Sequence, residues 1–251
     1  MEVKVMAIVA LSTKMYFPRK RTLDYCQRLV QLLKPIHNAD SVVMAVLPDF
    51  LTIAPVKSLL KPAGVLIGAQ DVCPNDRGAY TGEVSGSDLA ALGASIVEIG
   101  HIERRRYYHE DDALISGKVA AARRNGLTPL LCVGEPERMD AGKASQVCIR
   151  EINNAVDGHK PGPLWVAYEP IWAIGAQHPA STEHVREVCT AISNHCRQYA
   201  DKISLIYGGS AGPGLLTELW PAVDGLFLGR FAHEPEAFIS VVQEACILEA
   251  S

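Results

Sequence analysis

The stretch LWVAYEPIWAIG, residues 164–175, decides how the fold is read. An apolar run from Leu164 ends at a carboxylate, Glu169, and Pro170 follows at once. A run that short, bounded by proline, reads as a strand buried on both faces over residues 164–169. Seven more runs of the same character occur: VKVMAIVAL (3–11), VVMAVL (42–47), VLIGA (65–69), SIVEIG (95–100), PLLCVG (129–134), ISLIYG (203–208) and GLFLG (225–229). Most gaps between them carry helical periodicity, as in LDYCQRLVQLLKPI (23–36) and HVREVCTAISNHCRQY (184–199). Strand then helix, eight times, predicts a closed (β/α)8 barrel, one domain over residues 1–251. No G-x-G-x-x-G follows the first run, which places a doubly wound open sheet behind the barrel.

In such a barrel the working rim is where the strands end at their C-termini. The residues there are polar: Ser12-Thr13-Lys14 after the first run, His101-Ile102-Glu103 after the fourth, and Glu169-Pro170 after the sixth. Gly208-Gly209-Ser210 follows the seventh and Gly229-Arg230 the eighth. Distant in sequence, these groups converge on one mouth if the barrel closes.

Composition narrows the function further. The chain is 48% apolar and 21% charged, with a formal charge of −4 and a pI near 6.1, an ordinary globular balance without a basic footprint for nucleic acid. Arg104, Arg105 and Arg106 are soon offset by Glu110, Asp111 and Asp112. No apolar stretch is long enough to cross a bilayer, and the N-terminus lacks a basic leader and a small-residue cleavage site, so it reads as cytoplasmic and uncleaved. The seven cysteines are scattered without a CxxC pair, which argues for reduced thiols and against a disulfide framework or a zinc site.

Each rim group has a chemistry. A carboxylate partly screened from water, as Glu169 would be, gains basicity by desolvation, and Pro170-Ile171-Trp172 followed by Ala173-Ile174-Gly175 reads as a stiff hinge with an apolar lid tip. His101 opens a short helix whose amides disfavour an imidazolium, leaving a neutral ring able to donate to a carbonyl. Lys14 can hold an anionic oxygen, and the glycine-rich turns at 208–210 and 229 expose amides suited to phosphate. Taken singly, a structural ion pair, a packed histidine or a solvated lysine explains each residue as well. Together they suggest proton abstraction beside a carbonyl in a small phosphorylated sugar, with no metal or cofactor.

The residues also resemble those of triosephosphate isomerases over nearly the whole chain: TKM (13–15), GAQD (68–71), GAYTGEVS (78–85), IGHIERR (99–105), LCVGE (131–135), AYEPIWAIG (167–175), YGGSA (207–211) and DGLFLGR (224–230). The resemblance implies Glu169 as general base, His101 as neutral electrophile and Lys14 as electrostatic stabiliser, with Glu103 tied to Lys14. It implies a lid from Pro170 to about Ala180 latched by Tyr207 and Ser210, and phosphate held at Gly175, Ser210, Gly229 and Arg230. It further implies a homodimer through the loop around Arg77–Glu83, with Thr81 near the partner's site and Glu83 facing an arginine, position 104, across the interface.

Four departures fall on the site. Ser12 stands where the family usually has Asn, Ile102 where it has Ser, and Arg230 where it has a second Gly. The lid tip reads Gly175-Ala176-Gln177-His178, followed by Pro179. Ser12 and Arg230 also appear in branches acting on tetrulose phosphates. The triose pair is therefore the default substrate, with the reaction it feeds in glycolysis and gluconeogenesis. A four-carbon ketose phosphate is the close rival, and a barrel that binds a sugar phosphate without turnover is the alternative of a different class.

Overall fold

The computed structural model describes residues 6–174, 179–197 and 203–250. Its strands are β1 (Ala7–Ser12), β2 (Val42–Leu47), β3 (Leu66–Ala69), β4 (Ile96–Ile99), β5 (Thr128–Val133), β6 (Leu164–Tyr168), β7 (Ile203–Tyr207) and β8 (Gly225–Leu228). They form a closed parallel barrel in sequence order, completed where β8 pairs with β1, Ile8 opposite Gly225 and Leu11 opposite Leu228. The helices are α1 (Arg19–Leu33), α2 (Ile53–Leu60), α3 (Gly86–Leu92), α4 (Ile102–Tyr108), α5 (Asp112–Arg124), α6 (Ala141–Val156), α7 (Thr182–Cys196), α8 (Leu215–Leu219) and α9 (Pro235–Glu249). Capping side chains set several of their starts. Ser85, Asp111, Asp140 and Ser181 each accept from the backbone N–H three residues on.

Alternation along the strands decides which side chains enter the barrel. Ile8 and Ala10 of β1 join Ala45, Leu47, Ile96, Leu130, Cys132, Ala167, Ile206 and Phe227 in one inner cluster. Their neighbours, Ala7, Val9, Leu11, Val46, Val97, Leu131 and Val166 among them, form the larger core between barrel and helices. The parity carries on past the apolar residues. Ser12 follows Ile8 and Ala10, Glu98 follows Ile96, and Glu169 follows Ala167, so three polar groups sit, buried, at the top of the inner face.

The strands differ from their sequence reading mainly at the ends. The first begins at Ala7 and runs to Ser12, residues 1–5 lying outside the described set. The runs ending at Gly100, Gly134, Glu169, Gly208 and Gly229 each stop one residue sooner in the structure. The chain turns there to line the mouth while keeping one more hydrogen bond: Glu169 N–H donates to Val133 O (2.8 Å) and Gly208 N–H to Tyr168 O (2.9 Å).

Barrel closure leaves no room at Gly225, where a Cβ would collide with the Ile8 carbonyl across the β1–β8 seam. Gly225→Ala should therefore destabilise the protein by about 1–3 kcal/mol, a fall of roughly 2–12 °C in Tm. Thermal melts of the two proteins check this, and an unchanged Tm would show that the seam can open.

Candidate active site

Glu169, His101, Lys14 and Glu103, carried on three separate segments, meet at the mouth of the barrel. Glu169 Oε2 lies 3.4 Å from His101 Nε2. Lys14 Nζ stands 3.1 Å from the same nitrogen and donates to Glu103 Oε1 at 2.9 Å. All four line a cavity of about 480 Å3 together with Ser12, Gly208, Gly209, Ser210, Gly229 and Arg230, a volume suited to a small ligand. Gly175 and the tip 175–178 lie outside the described residues.

The tautomer of His101 follows from its place at the head of α4. The N–H of Glu103 donates to His101 Nδ1 at 3.1 Å, so the proton of the neutral ring is assigned to Nε2, facing the cavity. Burial, and after it the charge of Lys14, lowers the ring's pKa to about 4, Glu103 opposing. The helix end orients the ring; desolvation does more to keep it neutral. Two donors, His101 Nε2–H and the Lys14 ammonium, thus converge on one point, where an oxygen gaining negative charge would satisfy both.

Lys14 is held in place from behind. Its φ is 46°, a left-handed conformation uncommon for a residue with a side chain. Gln70 Nε2 sustains it by donating to Lys14 O (3.1 Å), Leu47 O (2.9 Å) and Thr13 Oγ1 (3.1 Å). Burial works against the ammonium, but the hydrogen bond to Glu103 and the charges of Glu169, Glu103 and Glu98 outweigh it and raise its pKa.

Glu169 is 5% exposed, and burial pushes its pKa up to about 8, with Lys14 opposing and Glu98 and Glu103 reinforcing. Glycine is required beside it: a Cβ on Gly208 would stand 2.6 Å from the Glu169 Cγ and Oε1. On its other side a small space is lined by Ile102, Cys132 and Ile171 together with Arg105 and Glu151, and the Ile102 side chain itself can offer that space no hydrogen bond. After the base the chain makes a turn of 3-10 helix, Ile171–Ala173, pinned where Trp172 Nε1 donates to Glu135 Oε1 at 2.7 Å. The Tyr168 hydroxyl (3.2 Å) and His184 Nε2 (3.4 Å) approach the same oxygen.

Ser12 does not reach into the cavity as a free hydroxyl. It donates to Glu98 Oε2 at 2.9 Å, and Glu98 is buried with its pKa raised to about 7, mainly by desolvation. Tyr207 is buried behind Gly209, while Ser210 and Arg230 lie exposed on the rim. Sequence reasoning passed over Glu98, Gln70, Glu135, Tyr16 and His233. A charged residue inside the run SIVEIG, with the parity of Ile96, was the available signal for Glu98.

A closed eight-stranded parallel barrel whose mouth gathers a buried carboxylate, a neutral imidazole and a lysine defines an enzyme of the proton-transferring barrel class. The chain belongs to the triosephosphate isomerase family, whose model matches residues 7–245; it is an isomerase of the aldose–ketose type. It is 47% identical over 250 residues to the L-erythrulose-1-phosphate isomerase of Pectobacterium atrosepticum, covering 96% of each chain. It is 36% identical to the triosephosphate isomerase of Thermus thermophilus, over 95% of this chain and 98% of that one. It is 39% identical to that of Mycobacteroides abscessus, over 92% and 93%. The triosephosphate isomerase structure from Bartonella henselae superposes with a TM-score of 0.80 at 27% identity, covering 94% of this chain and 98% of that one.

Because a base must be ionised to accept a proton, kcat/KM should rise with pH up to about 8, the value to which burial lifts Glu169. Ile102→Ser would bring a hydroxyl to the space beside that carboxylate, stabilise its ionised form and move the acidic limb to lower pH. A pH–rate profile of both proteins decides it; superimposable limbs would show that Ile102 does not tune the base.

Proposed function

We propose that this protein isomerises a phosphorylated four-carbon ketose by moving a proton from the hydroxyl-bearing carbon beside its carbonyl onto the carbonyl carbon, through an enediolate, so that carbonyl and hydroxyl exchange places. The observation that carries the chemistry is the buried Glu169 carboxylate 3.4 Å from a neutral His101 whose Nε2 lies 3.1 Å from Lys14 Nζ. In this reading Glu169 is the base, His101 polarises the carbonyl and relays the proton, and Lys14, positioned by Glu103, balances the charge that develops on oxygen. The phosphate lies against the amides of Ser210, Gly229 and Arg230, with Gly175 closing over it from the lid.

The size of the substrate rests on other support. Identity to the erythrulose-1-phosphate isomerase is 47%, against 36% and 39% to two triosephosphate isomerases of similar coverage. Ser12, shorter than the usual Asn and committed to Glu98, leaves room at the base of the cavity. The triose reading stays in play because the three reacting side chains are all assembled.

We also propose a cytoplasmic homodimer, each copy a single barrel domain. Around Arg77–Glu83 the loop leaves Tyr80 46% exposed, and Met15 (96%) and Leu51 (85%) add uncovered apolar surface. Arg77 stiffens the loop through a two-pronged pair with Asp88, both contacts at 3.0 Å. Arg104 is already engaged within the chain by Asp71 and Glu110, both at 2.7 Å, so a Glu83 from a second copy would share a guanidinium that is in use. Sedimentation at micromolar concentration should give twice the chain mass.

The decisive measurement is kcat/KM on erythrulose 1-phosphate and glyceraldehyde 3-phosphate side by side, with Glu169→Gln as control. Turnover of the four-carbon substrate should exceed that of the triose at least tenfold, and the variant should lose about 10²–10⁴-fold. Triose turnover approaching the diffusion limit would replace this reading by the triose one. Inactivity on both would return the protein to a silent sugar-phosphate-binding barrel.

A further inference from the structure

The cavity has two electrostatic ends. Carboxylates crowd the end where Glu169, Glu98 and Glu103 meet. Where the segment after β1 lies beside the segment after β8, the polar residues of the lining beyond Lys14 are Tyr16, Arg230 and His233. We propose that these three form a side-chain clamp for the outer oxygens of the phosphate, a subsite additional to the backbone amides; the inference rests on the reading of the cavity as a sugar-phosphate site.

Arg230 is exposed on the rim and makes no hydrogen bond or ion pair with any described residue. Carboxylates are close at hand, yet other arginines have taken them: Arg21 pairs with Glu234 (3.3 Å) and Arg28 with Glu236 (2.8 Å). The guanidinium at the cavity is therefore the one left over, a planar fork of donors matched to an oxyanion.

Its two companions are held in place. The Tyr16 ring lies 5.1 Å from that of His233, which also meets Phe17 edge-on at 4.9 Å. The turn carrying His233 is anchored by Tyr25 OH donating to Ala232 O at 2.9 Å and by Arg21 Nη2 donating to His233 O at 3.4 Å. The Tyr16 hydroxyl has no hydrogen-bond partner among the described residues, and His233 Nε2 is shut from solvent without one. Burial, and then the cations Arg21, Arg230 and Lys14, lower the His233 pKa, with Glu234 opposing. The ring stays neutral, and with Nε2 enclosed, Nδ1 is the nitrogen left to face an anion. Guanidinium, phenol and imidazole together offer donors to a multi-oxygen anion, and the neighbouring carboxylate, Glu234, is paired with Arg21.

Inorganic phosphate tests the clamp without turnover. Titration calorimetry on the full-length protein should show Arg230→Ala weakening phosphate about tenfold, the loss of a charge-assisted contact. Arg230→Lys should recover part of this. Tyr16→Phe, and His233→Phe, which keeps a ring against Tyr16, should each weaken it about threefold. In kinetics the loss should appear in KM more than in kcat, and circular dichroism should show each variant folded. If Arg230→Ala binds phosphate within about twofold of the parent, or the parent binds none, the clamp is wrong. Because binding is read separately, affinity lost in Arg230→Ala by a protein inactive on both sugars keeps the clamp and removes the substrate reading. An active enzyme with unchanged affinity does the reverse.

Discussion

The seam between β8 and β1 is the constraint on which the site depends. Until those strands pair, the parity of side chains along each strand has no shared interior to point into. Once they do, Ile8 and Ala10 fix the inward face of β1, and the next residue of that parity, Ser12, arrives at the mouth beside Glu98. The same argument brings Glu169 up behind Ala167. Closure also sets the segments after β1 and β8 side by side, which is why Tyr16 and His233, more than two hundred residues apart in sequence, stack against one another.

Placing three carboxylates around one lysine is unfavourable in a buried mouth, and the structure shows how the strain is shared. Glu103 is partly exposed and takes the direct ion pair. Glu98 and Glu169 are buried and respond by raised pKa values, about 7 and about 8. The raised proton affinity of Glu169 is thus a consequence of crowding and desolvation acting on a residue the fold will not let retreat. His101 answers the same surroundings in the opposite sense, because burial disfavours a cationic ring as it disfavours an anionic carboxylate.

Much of this was legible in the sequence, and the part that was not has a physical reason. Eight short apolar runs alternating with helical periodicity identified the barrel, and VVMAVL matched β2 residue for residue. Other runs overran by a residue because the apolar pattern and the glycine after it do not say where the ladder ends and the mouth begins. Lys14, His101 and Glu169 could be found because each lies at or just beyond the end of a run. Gln70 could not be given a role, since its work is done through three backbone and hydroxyl oxygens drawn together only by folding. Tyr16 and His233 escaped for a similar reason: an aromatic on a loop has no reading until its neighbour is known.

The departures at Ser12 and Ile102 have a common effect that neither shows alone. Each removes hydrogen-bonding capacity from one flank of the reacting groups. Ser12 spends its hydroxyl on Glu98, and Ile102 faces the space behind Glu169 with methyl groups. The Glu169 carboxylate keeps His101 Nε2 at 3.4 Å, and Trp172 holds the turn that follows to Glu135. The position of Glu169 beside a neutral His101 is thus set by the barrel itself, through Ala167 below it and Gly208 alongside, and does not draw on the Ser12 hydroxyl or on a hydroxyl at position 102.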